Sequence, residues 1–163
     1  MTFKKLILLF CFGLFFFGSV SAVNKKSYTK QYDHNGKIIA EGWSMGTIKT
    51  GYWTFYYHNG QTASKGHFRN NKKEGYWYFF SEEGKIMKEG HYRDDQANDW
   101  WIFYDIANHE MSKFQYQNNK KNGYALRYKK KKLTRAEKYE NNIRVGSWNS
   151  IWAFKRDNPT ISF

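Results

Sequence analysis

Residues 51–68 read GYWTFYYHNGQTASKGHF, and residues 75–92 read GYWYFFSEEGKIMKEGHY. Residue for residue, Gly51 returns as Gly75, Trp53 as Trp77, Phe55 as Phe79, Gly60 as Gly84, Gly66 as Gly90 and His67 as His91, which is register rather than shared composition. Self-similarity at a fixed period of this length marks a repeat architecture. Each copy holds two runs rich in aromatic and β-branched residues, broken by His58-Asn59-Gly60 or Glu82-Glu83-Gly84. Such breaks are turn signals that need positive φ, so each copy predicts one β-hairpin.

The pattern runs outward in both directions. Upstream, Tyr32 matches Tyr56, Asn35-Gly36 matches Asn59-Gly60 and Gly42 matches Gly66, while Trp43 stands where His67 does. Downstream, residues 99–104 keep the aromatic strand, with Asp99 replacing the leading glycine and Asn108 the turn glycine. A further unit starts at Gly123, with a turn at 129–132 one residue short, and a last partial unit starts at Gly146. The units lie near 28–50, 51–74, 75–98, 99–122, 123–145 and 146–163. Links such as Asn70-Asn71, Asn118-Asn119 and Asn141-Asn142 tolerate left-handed backbone and read as tight turns into the next strand. The fold class expected is all-β, an elongated single-layer antiparallel meander of repeated hairpins. No stretch after Ala22 shows helical apolar spacing, so nothing is expected to cover the sheet.

A two-residue loop at Asn59-Gly60 pairs His58 with Gln61, and counting back sets Phe55 opposite Ser64 and Trp53 opposite Gly66. One face then reads Trp53, Phe55, Tyr57, Thr62, Gly66, Phe68, with the indole across a glycine that has no side chain of its own. The next unit repeats this with Trp77 and Gly90. The other face reads Tyr52, Thr54, Tyr56, Ala63, Lys65, His67, and then Tyr76, Tyr78, Phe80, Met87, Glu89, His91. A single layer has no second layer to supply a core, so wide side chains must touch between neighbouring strands, consistent with an aromatic content of 21%.

The pattern Gly-x-Trp-x-x-Tyr-x-x-x-Gly, followed by Gly-x-Tyr and a turn ending in glycine, resembles the MORN repeat in its bacterial variant form. The resemblance covers roughly residues 28–148, with Ala125 and Arg127 departing from the aromatic positions. It implies an elongated array of hairpins working as a binding or scaffold module, and bacterial relatives include proteins labelled antitoxins of toxin–antitoxin pairs.

Residues 1–22 carry Lys4 and Lys5, an apolar run over 6–17 and small residues at Gly18-Ser19-Val20-Ser21-Ala22. They are expected to be a cleavable secretory signal, since a bilayer span needs about 20 apolar residues, so the mature chain begins at Val23 and is secreted or periplasmic. Cys11 sits inside the apolar run, which leaves residues 23–163 without cysteine and with no disulfide or thiolate metal site. Removing Lys4 and Lys5 lowers the formal charge from +13 to +11, which favours an anionic envelope lipid or glycan, or an acidic protein, over nucleic acid in an exported chain.

No enzymatic function is expected. His67 and His91 share a repeat position but lie two strands apart, about 9–10 Å, too far for one zinc. Glu82-Glu83 and Asp94-Asp95 fall in turns, and neither a phosphate loop nor a nucleophile constellation is present; no cofactor or metal is expected. Trp53, Trp77 and Trp101, with Gly51, Gly60, Gly66, Gly75, Gly84 and Gly90, are expected to be structural. The candidate binding row is Tyr52, Tyr76, Trp100 and Tyr124 on the opposite face, flanked by Lys129, Lys130, Lys131 and Lys132 for anionic groups. Self-association through the sheet edges and an antitoxin or immunity-type role are the alternatives the sequence leaves open.

Overall fold

The computed structural model describes residues 25–161; the expected signal segment and the start of the mature chain at Val23 lie outside them. Eleven strands precede one helix: β1 (Lys26–Tyr32), β2 (Ile38–Met45), β3 (Ile48–Tyr56), β4 (Thr62–Arg69), β5 (Lys72–Phe80), β6 (Ile86–Arg93), β7 (Gln96–Asp105), β8 (Glu110–Gln117), β9 (Lys120–Lys129), β10 (Lys132–Glu140), β11 (Ile143–Trp148) and α1 (Ile151–Asp157). Each strand pairs antiparallel with its sequence neighbours, giving one open meander with β1 and β11 at its ends.

The two borders of the sheet use different turns. On one, Gly60 N–H donates to the Tyr57 carbonyl at 2.9 Å, Tyr57 N–H donates to the Gln61 carbonyl at 2.8 Å, and Gly60 is left-handed. This is a three-residue loop closed by glycine, not the expected two-residue loop pairing His58 with Gln61. A bulge after it restores the register: Tyr56 pairs with Thr62, but Phe55 pairs with Ser64 and Trp53 with Gly66. Thr62 therefore belongs to the Tyr56 face. In the β7–β8 hairpin the loop gains a residue instead, and positive φ falls on His109 rather than Asn108. The short turn expected at 129–132 is a two-residue turn, with Lys130 and Lys131 both left-handed.

The opposite border carries two-residue turns in which both residues are left-handed, at Asn70-Asn71, Asp94-Asp95, Asn118-Asn119 and Asn141-Asn142. Asn71 Oδ1 accepts from Lys49 N–H at 2.7 Å, and Asn71 N–H donates to the Lys49 carbonyl at 3.0 Å. Asp95 holds Lys73, Asn119 holds Ala97 and Asn142 holds Lys121 in the same way. The second turn position thus needs a side-chain acceptor as well as tolerance of the left-handed region, which selects Asn and Asp. Just beyond each turn the ladder skips: Gly66 pairs with Trp77, yet His67 pairs with Glu74. The leading residue absorbs that bulge at positive φ, as Gly51, Gly75, Gly123 and, without being glycine, Asp99.

The buried face is a ring stack. Trp53, Trp77 and Trp101 are 1%, 0% and 3% exposed. Each lies on the glycine of the preceding hairpin and not, as expected, on that of its own: a Cβ on Gly42 would overlap the Trp53 ring, on Gly66 the Trp77 ring and on Gly90 the Trp101 ring. Gly66 and Gly90 each have a tryptophan opposite on both sides, and the indole Nε1 settles the choice by donating to the carbonyl one residue beyond the glycine it covers, from Trp77 to His67 and from Trp101 to His91 at 3.0 Å. At the next junction large and small exchange strands: Phe114 occupies the glycine position and Ala125 the tryptophan position, and the two are paired and buried. One hairpin on, Glu137 stands opposite Ala125, 2% exposed, accepting from Arg127, Arg144 and Tyr139, each at 3.2 Å.

The last strand leaves the pattern. Trp148 pairs with Ala136 after a one-residue shift, where the β6–β7 ladder shifts by two, so its side chain turns to the opposite face. There α1 packs, contrary to the expectation that nothing covers the sheet. Ser150 caps its start by accepting from Ala153 N–H, and Lys155 and Arg156 stand in its last turn. Phe154, fully buried, forms a second core with Leu126 and Ala136, joined by Trp100, Tyr124 and Trp148.

Candidate functional site

The face opposite the tryptophan stack carries a row of ring pairs, one in each of the first three hairpins. Tyr28 meets Trp43 edge-to-face at 5.4 Å, Tyr52 meets His67 at 5.0 Å and Tyr76 meets His91 at 4.8 Å. Alternation along each strand brings these side chains to one surface, and cross-strand register sets the pairs. Tyr28, Trp43 and Tyr52 are 52%, 40% and 39% exposed, and His67 and His91 are exposed too. An edge-to-face pair fixes a ring without burying it, so this half of the face offers rigid aromatic area at little ordering cost.

A second row runs alongside. Tyr56 O–H donates to Glu41 at 2.7 Å and Tyr104 O–H to Glu89 at 2.6 Å. Lys65 Nζ lies 5.4 Å from the Phe80 ring and 5.8 Å from the Tyr78 ring. Burial, and after it the Glu41 carboxylate, pushes the Tyr56 phenol up to about 12; burial with the Glu89 charge does the same for Tyr76. Both stay protonated donors at neutral pH.

Of the four residues the sequence places in the binding row, Tyr52 and Tyr76 lie in the open half. Trp100 and Tyr124 do not: Tyr124 packs edge-to-face on Phe154 at 5.4 Å, its hydroxyl is 3.0 Å from Asn158 Oδ1, and Trp100 packs against the same cluster. The helix closes that end of the row, leaving a cavity of about 900 Å³ bordered by Trp100, Lys113, Tyr124 and Ile161. The lysine turn divides as well. Lys129 pairs with Glu110 at 3.0 Å, while Lys130 and Lys131 rim a cavity of about 590 Å³ with Tyr104, Ile106, Met111 and Tyr128. Tyr28 and Trp43, missed by the sequence reading, extend the row at its open end; their signal was the match of Tyr28 to Tyr52 and Trp43 to His67 at the repeat spacing. Among the described residues no group of three or more His, Cys, Asp or Glu side chains converges to hold a metal.

An open sheet of stacked hairpins with an aromatic face defines a repeat binding module. The model of the MORN repeat variant family matches residues 49–70 and 73–94, the two hairpins of clearest register, so these two units are repeats of the MORN variant type. No curated protein matches it.

Proposed function

We propose that this protein is a non-catalytic binding module, exported to the periplasm or beyond, that captures an extended partner on the row Tyr28, Trp43, Tyr52, His67, Tyr76 and His91. The observation that carries this reading is the asymmetry of the face. Tyr28, Trp43, Tyr52, His67 and His91 are exposed between β1 and β6 and Tyr76 is half-buried, whereas Phe154 of α1 packs on the equivalent Trp100 and Tyr124 of β7 and β9. A ring row at the two-strand spacing of about 9–10 Å suits successive sugars or alternate side chains of a protein strand. Lys26, 5.0 Å from the Trp43 ring, and Lys65 supply cations for an anionic envelope component.

The test is capture from envelope extract by the immobilised chain starting at Val23. Changing Tyr52 and Tyr76 to Ser abolishes capture and leaves the β-type circular dichroism spectrum intact. Unchanged capture would place the binding surface elsewhere, and recovery of a single toxin-like protein would shift the reading to an immunity role on the same face.

A further inference from the structure

The buried face holds a second periodic feature, a lysine set over each ring cluster. Lys49 Nζ lies 4.9 Å from the Trp53 ring, 5.1 Å from Phe55 and 5.6 Å from Phe68. One unit on, Lys73 Nζ lies 5.1 Å from Trp77, 5.6 Å from Phe79 and 5.0 Å from Tyr92. Three aromatic faces around one ammonium make a cation cage. The repeat builds it twice with its own lysine as occupant.

The third unit builds the walls and omits the occupant. Trp101, Phe103 and Tyr116 stand where Trp53, Phe55 and Phe68 do, but Ala97 replaces the lysine. The walls keep their spacing: Trp101 to Phe103 is 6.3 Å, against 6.1 Å for Trp53 to Phe55, and Trp101 to Tyr116 is 6.3 Å, equal to Trp53 to Phe68. Phe114, at the glycine position of the repeat, closes the far side, 5.7 Å from Phe103. Lys121, cross-strand from Tyr116, reaches Phe114 at 4.2 Å and Tyr139 at 5.3 Å instead. Among the described residues no lysine or arginine lies over the Trp101, Phe103 or Tyr116 ring.

Charge changes at the same place. The link over residues 94–99, Asp-Asp-Gln-Ala-Asn-Asp, has three carboxylates and no cation, whereas residues 70–75 hold two lysines and one glutamate, and residues 118–123 two lysines. Asp94 is shared with Arg69 and Lys72 at 3.7 and 3.9 Å, while Asp95 keeps the turn's backbone bonds to Lys73. In a strongly basic chain, the acidic link is the one that carries Ala97 in place of the cage lysine.

We propose that the slot over Ala97, walled by Trp101, Phe103 and Tyr116 and lying just after the acidic turn Asp94-Asp95 in the chain, takes the alkylammonium group of a ligand. The ligand supplies in trans what Lys49 and Lys73 supply in cis. Its site is on the face opposite the proposed docking row, so the two stand or fall separately.

The test follows the tryptophan indole N–H signals of the chain from Val23 by NMR while n-butylammonium chloride or tetramethylammonium chloride is added, against sodium chloride at equal ionic strength. Either ammonium salt shifts the Trp101 signal saturably and leaves those of Trp53 and Trp77 in place; the salt that binds tells whether a primary or a quaternary amine fits. Ala97→Lys fills the slot with a residue the fold accepts at 49, 73 and 121, and removes the response. Replacing Asp94 and Asp95 with Asn, which serves both positions of the neighbouring turns, weakens binding about threefold. A Trp101 signal that merely follows the sodium chloride control, an equal response at Trp53 and Trp77, or an Ala97→Lys chain that responds like the parent would overturn the proposal.

Discussion

The Trp77 indole of one hairpin lies on the backbone of Gly66 in the hairpin before it and donates to the His67 carbonyl at 3.0 Å. The contact therefore joins units rather than closing one. Gly66→Ala forces a Cβ into the ring, and overpacking of this kind costs about 1–3 kcal/mol. Trp77→Ala removes a fully buried indole and costs about 3–5 kcal/mol. Because both act through one contact, Gly66→Ala should be nearly neutral in the Trp77→Ala background. Denaturant midpoints for the two single variants and the double variant check this; full additivity would contradict the contact.

Trp148→Ala should cost less than Trp77→Ala. Trp148 is partly exposed at the last strand, with contacts to Phe154 at 5.2 Å and a hydrogen bond from its indole to Asp157 at 2.9 Å. In a one-dimensional array an end unit has one neighbour to lose and an inner unit has two. Equal midpoint shifts would mean that the sheet unfolds without regard to position.

The repeat, its hairpins and the placing of Trp53 and Trp77 on one face with Tyr52 and Tyr76 on the other were legible because period and alternation fix them. Three features were not. Trp53 has Gly42 on one side and Gly66 on the other in register, and periodicity alone does not say which the indole covers. The helix at Ile151–Asp157 has 7 residues, too few to show apolar periodicity, though Ser150 before it and Asn158-Pro159 after it are start and stop signals. The single-residue shift at β11 that turns Trp148 to the helix face depends on how a bulge closes, and residue types do not specify that. For the candidate site, Tyr52 and Tyr76 were legible as a row, and the covering of Trp100 and Tyr124 followed from the helix that was not.

Left-handed backbone at residues other than glycine gives a second set of variants. Asp99 has φ 58° where Gly51, Gly75 and Gly123 stand in other units, and Lys131 has φ 65°. Asp99→Gly and Lys131→Gly should each raise stability by about 1 kcal/mol, the scale of the left-handed penalty. Asn71→Gly should not, because it deletes the side-chain acceptor for Lys49 N–H. Thermal unfolding of the three variants separates the cases, and a gain in Asn71→Gly would show that the turn-to-turn bond contributes nothing.

Glu137 sets an acid limit. Burial raises its carboxyl pKa, but the Arg127 charge and hydrogen bonds from Arg144, Arg127 and Tyr139 outweigh that and hold it below the ordinary value. A depressed folded pKa gives stability that is present above the unfolded value of about 4.3 and is lost as pH falls through the folded value. Glu137→Gln should cost about 2 kcal/mol at pH 7, the scale of hydrogen bonds to a charged group. It should also flatten the loss of stability below about pH 4.3. Urea midpoints across that range check both, and a variant with an acid slope unchanged from the parent would assign the slope to other carboxylates.

Phe154 holds the helix over Trp100 and Tyr124, and it is fully buried between the edge-to-face rings of Tyr124 at 5.4 Å and Trp148 at 5.2 Å. Phe154→Ala should therefore cost about 3–5 kcal/mol where it acts, on the helix and the last strands. The first six strands meet their own neighbours only, so their amide protection should stay near that of the parent chain. With the helix released, Trp100 and Tyr124 join Tyr52 and Tyr76, and the open row lengthens by two units. Capture of the envelope partner should then be retained or strengthened in Phe154→Ala, measured at a temperature where the first six strands remain protected. Loss of capture with those strands intact would show that the helix belongs to the binding surface and does not merely cap the sheet.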